Sequence, residues 1–251
     1  MYPIILIGPA ALPTYPLLML VALWAGMWLA ARRAQQLGLD GDHVYNAGLY
    51  GFLAGIVGAR LYFVLSHWEN YAADLTQIYS LSRSALSVGE GFLAASVVVF
   101  IYLLRKRVPL GTFFDAAAPG IALAIIIGNI GAFLGGVALG AVTDLPWAVE
   151  MAGIARHPVQ LYDAGAGLVI LAILYFIRNY RPWPGFQFWL FVVLYGAARL
   201  FFEIFRARPY LIGNNFLGIQ VMALAAIVVA LAVMAYNFTQ DSKGEPSVKS
   251  V

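Results

Sequence analysis

The feature that most constrains this chain is a succession of apolar runs, each about 20 residues long, between short segments that hold most of its arginine and lysine. A helix rises about 1.5 Å per residue, so a run of that length crosses a hydrocarbon core of about 30 Å. In lipid, only a helix or a closed barrel satisfies its own backbone hydrogen bonds. Seven such spans are expected, at residues 13–31, 44–65, 86–104, 112–139, 159–177, 186–205 and 216–236. The expected fold is an all-α integral membrane protein: one polytopic domain over residues 1–238 and a disordered cytoplasmic tail over 239–251. Composition agrees, since 62% of residues are hydrophobic and 11% charged, against about a quarter charged in soluble domains. The fourth run is overlong. Pro119 and the glycines at 128, 131, 135, 136 and 140 predict a kink followed by a close-packed or broken end.

Basic residues fix the expected orientation. One side receives Arg32, Arg33, Arg105, Lys106, Arg107, Arg178, Arg181, Lys243 and Lys249, and the other only Arg83, Arg156, Arg206 and Arg208. That asymmetry places the N-terminus outside and the C-terminus in the cytoplasm. The first span lacks a basic leader and is followed by Arg32 and Arg33, as in an uncleaved helix rather than a signal peptide. The net charge of +3 is mostly juxtamembrane, so no nucleic-acid partner is implied. The chain has no cysteine, which removes disulfides, thiolate nucleophiles and cysteine-ligated metals. His43, His67 and His157 are too scattered for a ligand motif, and neither a metal nor a cofactor is indicated.

Charged residues inside the spans point to function. Arg199, Glu203 and Arg206 follow an i, i+4, i+7 spacing that places them on one helical face. Inserting a guanidinium costs about 2.5–3.5 kcal/mol, so it persists only against a partner or in a polar cavity. As a row of net charge +1 the three suit a lipid phosphate; alternatively, Glu203 merely neutralises the arginines and locks helix packing. Arg60 and Glu90 are expected to converge with Arg199 near the outer leaflet. Asp115 reads as an interfacial structural group, and Asp163 lies one turn into span five. Pro158 suits a first helical turn, and Trp147 and Tyr162 an interface with one wet edge. His157 is a proton carrier at neutral pH or a loop anchor.

Together these segments resemble the bacterial prolipoprotein diacylglyceryl transferase family. The resemblance rests on Gly58-Ala59-Arg60-Leu61, residues 115–119, Gly128 through Gly140 followed by Thr143-Asp144-Leu145-Pro146-Trp147, His157-Pro158-x-Gln160-Leu161-Tyr162, Tyr195-Gly196-x-x-Arg199-x-x-x-Glu203-x-x-Arg206, and Gln220. It implies transfer of diacylglyceryl from phosphatidylglycerol, or another anionic phospholipid, to a lipobox cysteine of a preprolipoprotein in the bacterial inner membrane. By motif position Arg199, Glu203 and Arg206 become the phosphate-side arginines and their carboxylate, beside Tyr195, with Tyr15 as a functional tyrosine. The candidate catalytic residues are Arg199, Glu203, Glu90 and His157. Arg60, Arg206, Tyr195, Tyr15, Asn129 and Gln160 are the candidate substrate-binding residues.

The chain also departs from the family pattern. Where the family reads G-R-x-G-N-F-x-N-G-E, the arginine is Asn129, an asparagine is Ala132 and the glutamate is Val137. A third-span histidine is Gly89, next to Glu90. Two readings follow: transfer with a rearranged set of charges, or a catalytically lapsed member that binds anionic lipid or serves as a subunit of a membrane complex. A transporter finds little support, because no convincing inverted repeat is present.

Overall fold

The structure, a computed structural model, describes residues 3–7, 10–72, 88–151, 153–207, 211–212 and 216–244. Its helices are α1 (Thr14–Gln36), α2 (Asp42–Ser66), the short α3 (Trp68–Tyr71), α4 (Val88–Arg105), α5 (Leu110–Leu134), α6 (Val159–Phe176), α7 (Phe186–Phe202) and α8 (Gly218–Gly244). Each expected span falls on one of them. Six are long and apolar enough to cross a membrane, and α4, described from Val88 onward, is the helix of the remaining span. Large apolar side chains such as Leu65, Phe92 and Phe176 point outward, as they must where lipid is the solvent. The protein is a multi-pass membrane protein.

The helices pack through small residues, because lipid supplies no hydrophobic drive between them and close backbone approach maximises dispersion contacts. The α1–α5 pair is the most extensive, followed by α2–α4, α5–α6 and α7–α8. Gly26 and Gly120 meet at the α1–α5 crossing, where a Cβ on Gly120 would fall 2.3 Å from the Gly26 carbonyl oxygen. Pro119 lies inside α5, which ends at Leu134 rather than at residue 139. Beyond it Gly136 and Ala138 take φ of 65° and 58°, so the glycine-rich run forms the broken end expected of it.

Three small antiparallel strand pairs among the described residues, which the hydropathy pattern does not predict, cap one end of the bundle, the hairpin end. They are β1 (Ile4–Ile7) with β2 (Ala10–Pro13), β3 (Val149–Met151) with β4 (Ile154–Arg156), and β5 (Leu211–Ile212) with β6 (Phe216–Leu217). The second strand of each leads into α1, α6 or α8, so those three helices begin at this end and α5 and α7 finish there. At the C-terminus α8 continues to Gly244, through part of the tail expected to be disordered. The start of the third span at 86–87, Arg83, Arg208 and residues 245–251 lie outside the described residues.

At the opposite end Asp115 is fully buried and joins α5 to the start of α7. Its Oδ2 accepts from the Gly185 amide (2.8 Å) and Arg181 Nε (3.1 Å), and its Oδ1 from the Phe188 amide (3.1 Å). These amides belong to the first turn of α7, whose N–H groups have no partner within the helix. Arg33 donates nearby to the Arg178 carbonyl. The structural role expected of Asp115 is the one its contacts show.

Candidate active site

At the hairpin end α7 stops at Phe202, Glu203–Phe205 form one 3-10 turn, and Arg206 is extended at φ −87°, ψ 143°. The chain leaves the helix to pair with the segment after α5. Ala141 N–H donates to the Phe205 carbonyl (2.7 Å) and Ala207 N–H to the Leu139 carbonyl (3.1 Å). The shared helical face expected for three residues therefore holds for Arg199 and Glu203, while Arg206 arrives from an extended segment. This pairing satisfies backbone groups that a helix end leaves open.

The three residues still meet, and Asp163 on α6 joins them. Arg199 Nη1 lies 3.1 Å from Asp163 Oδ2, and Arg206 Nε 3.2 Å from Glu203 Oε2. Arg199 Nη2 contacts Glu203 Oε2, and Arg206 Nη2 contacts Asp163 Oδ2. The carboxylate side chains are 3% exposed and the arginine side chains 15% and 18%. The expected row of net charge +1 is thus a ring of two cations and two anions, formally neutral. Sequence reasoning left Asp163 outside the site. The available signal was that it is the sole charged residue in the apolar run Val159–Phe176. Burying four ions costs several kcal/mol per ion before their attraction is counted, so such a ring is weak evidence of a purely stabilising role.

Other candidates surround the ring. Tyr195, one turn before Arg199, stacks on Phe191 with centroids 5.7 Å apart and feels all four charges. Gln160 is fully buried; its Nε2 donates to the Val137 carbonyl (2.7 Å) and its Oε1 has no partner. His157 is buried, its Nδ1 is 3.3 Å from the Tyr162 hydroxyl, and its ring lies 4.8 Å from that of Phe205. Trp147 Nε1 donates to the same hydroxyl at 2.9 Å. These contacts agree with His157 as a loop anchor. A Cβ on Gly140 would fall 2.0 Å from the His157 carbonyl oxygen, so backbone meets backbone there.

The remaining candidates lie on other helices. Tyr15 lies in the first turn of α1 and packs against Gly135. Asn129 Nδ2 donates to the Ile125 carbonyl one turn earlier (2.9 Å). Arg60 is buried on α2, 5.3 Å above the Tyr71 ring, and Glu90 lies on α4. The helix pair α2–α4 thus carries Arg60 and Glu90, while α6 and α7 carry the ring. Among the described residues no group of three or more His, Cys, Asp or Glu side chains is placed to hold a metal ion. A cavity of about 820 Å³ between α1, α2, α4 and α5 is lined by apolar groups such as Met27, Phe100 and Phe114, away from the ring.

A bundle of apolar helices with a buried arginine–carboxylate ring at its hairpin end defines a polytopic membrane protein with one polar site set into an otherwise apolar frame. The sequence model of the prolipoprotein diacylglyceryl transferase family matches residues 3–236. The chain belongs to that family. Its relatives include proteins named phosphatidylglycerol–prolipoprotein diacylglyceryl transferase. That of Pseudoalteromonas translucida is 31% identical over 94% of this chain and 92% of its own. The Corynebacterium diphtheriae protein is 30% identical over 97% and 93%, and the Clostridioides difficile protein 27% over 88% and 89%.

Proposed function

We propose that this protein transfers a diacylglyceryl group from phosphatidylglycerol to the thiol of a lipobox cysteine in a prolipoprotein, at the outer leaflet of a bacterial inner membrane. The thiolate sulfur attacks the diacylglyceryl carbon that bears the phosphate, the bond between that carbon and the phosphate oxygen breaks, and glycerol phosphate leaves with the electron pair. The thiol proton passes to a base, for which Glu90 and His157 are the candidates. The observation that carries this reading is the Arg199–Glu203–Arg206–Asp163 ring at the hairpin end, inside a family match that spans nearly the whole chain. Each guanidinium presents five donors in a fixed fork, so both arginines keep N–H groups for a phosphate while holding their carboxylates. Donors fixed in a dry site stabilise the charge that grows on the leaving phosphate without reorganising.

The reading as a lapsed lipid-binding subunit draws no support from the comparisons. Complementation tests the proposal: a strain depleted of its own diacylglyceryl transferase is given this chain, and lipidation of a reporter lipoprotein is followed by its mobility shift. Rescue is expected, with none from Arg199→Ala. Equal rescue by Arg199→Ala would detach that arginine from the reaction.

A further inference from the structure

The ring is electrically closed, so a phosphate monoanion that reaches it meets no net charge from those four residues. A neighbouring cation differs. Arg156 ends β4 immediately before His157, and its Nη1 donates to the Gly140 carbonyl at 3.1 Å. Gly140 is itself bridged to Arg206, so Arg156 and the ring share one backbone segment. Among the described residues no carboxylate lies within ion-pair distance of Arg156. Its Nε is buried with no hydrogen-bond partner. A guanidinium is always charged, and a buried N–H without an acceptor is expensive, which marks an acceptor site filled by something other than these side chains.

Two acceptors are unused on the adjoining helix. Gln160 Oε1 and Asp163 Oδ1 are buried and unpartnered, and their i, i+3 spacing on α6 puts both on one face. The spare capacity at this end is therefore one full positive charge with a free N–H on Arg156, a second N–H without a hydrogen-bond partner on Arg206, and two oxygens that lack a donor. A phosphodiester bearing a polyol complements that set: its phosphate oxygens accept and its hydroxyls donate.

Resting on the proposed transfer reaction, we infer that Arg156 supplies the uncompensated charge that holds the donor lipid's phosphate, and that Gln160 and Asp163 accept from the headgroup hydroxyls. The ring then holds Asp163 in position and keeps its remaining N–H groups for the charge that grows on the leaving phosphate.

Binding to the purified full-length protein in neutral detergent, read by native mass spectrometry, tests this without requiring turnover. Three probes share their acyl chains: phosphatidylglycerol, phosphatidylethanol, which keeps the phosphodiester but has no headgroup hydroxyl, and diacylglycerol, which has no phosphate. Arg156→Gln should weaken phosphatidylglycerol binding by about tenfold or more and leave diacylglycerol unchanged. Gln160→Met should erase the preference for phosphatidylglycerol over phosphatidylethanol. Undiminished phosphatidylglycerol binding by folded Arg156→Gln overturns the assignment of Arg156, and an unchanged preference in folded Gln160→Met overturns that of the acceptors. Wild-type protein that binds phosphatidylglycerol no better than diacylglycerol would instead sink the lipid-phosphate reading itself. Should Arg156→Gln not fold, Arg156→Lys carries the test: its binding should fall as pH rises through about 10.4, where lysine loses its charge, while wild type holds. Identical pH profiles would overturn the assignment.

Discussion

Each end of the bundle buries an aspartate against arginine, and the two aspartates are used in opposite ways. Asp115 spends both oxygens on fixed partners, two amides of the α7 start and Arg181. Asp163 receives both its arginines on Oδ2 and leaves Oδ1 without a partner. Gln160 Oε1, Arg156 Nε and Arg206 Nε at that end also lack a hydrogen-bond partner, against Trp183 Nε1 alone at the other among the described residues. A closed set of hydrogen bonds makes a joint. An open one in a buried setting is costly to keep, and its use is in what it binds.

That contrast is most open to attack at the arginines. Arg199→Ala should lower transfer from phosphatidylglycerol vesicles to a lipobox peptide by about 100- to 1000-fold, the range found when a fixed donor to a developing anion is removed. Arg181→Ala, the matching change at the other end, should alter the rate per folded molecule by only a few fold, because Arg181 pairs with Asp115 in the joint. Equal losses would dissolve the distinction.

The stability consequences run the other way. Asp115→Ala strips Arg181 and two helix-start amides of their acceptor and should cost about 3–5 kcal/mol in denaturant unfolding; a variant as stable as its parent would remove Asp115 from the joint. Gly120→Ala places a methyl against the Gly26 carbonyl, for an expected loss of about 1–3 kcal/mol with lipid preference unchanged. The smallest effect is expected from Asn129→Arg, which returns an arginine to the family's signature position. It should shift the transfer rate by a few fold in an active enzyme. No change would sharpen the case for a frame that has lost its chemistry, since Ala132, Val137 and Gly89 also differ.

The helical frame was legible because the length of an apolar run and the bilayer thickness constrain each other, and the glycines at 128–140 announced the end of α5. Arg199 and Glu203 were legible as a pair because i, i+4 spacing is local. Asp163 was not, since its partnership with Arg199 is made across the α6–α7 contact. Arg206 misled in part: no hydropathy window reveals that the chain leaves its helix at Phe202 to pair with Leu139–Ala141. The hairpins, with strands of two to four residues, are too short to show alternation against apolar flanks.

Photolabelling tests the division of labour between the two ends most directly. A phosphatidylglycerol analogue with a photoreactive headgroup is incubated with the protein in bilayers, irradiated, and its sites of attachment mapped by mass spectrometry. Attachment concentrated in segments 156–163 and 199–206 is the predicted result. Labelling confined to the neighbourhood of Asp115 and Arg181 would contradict it and move the lipid phosphate to the joint.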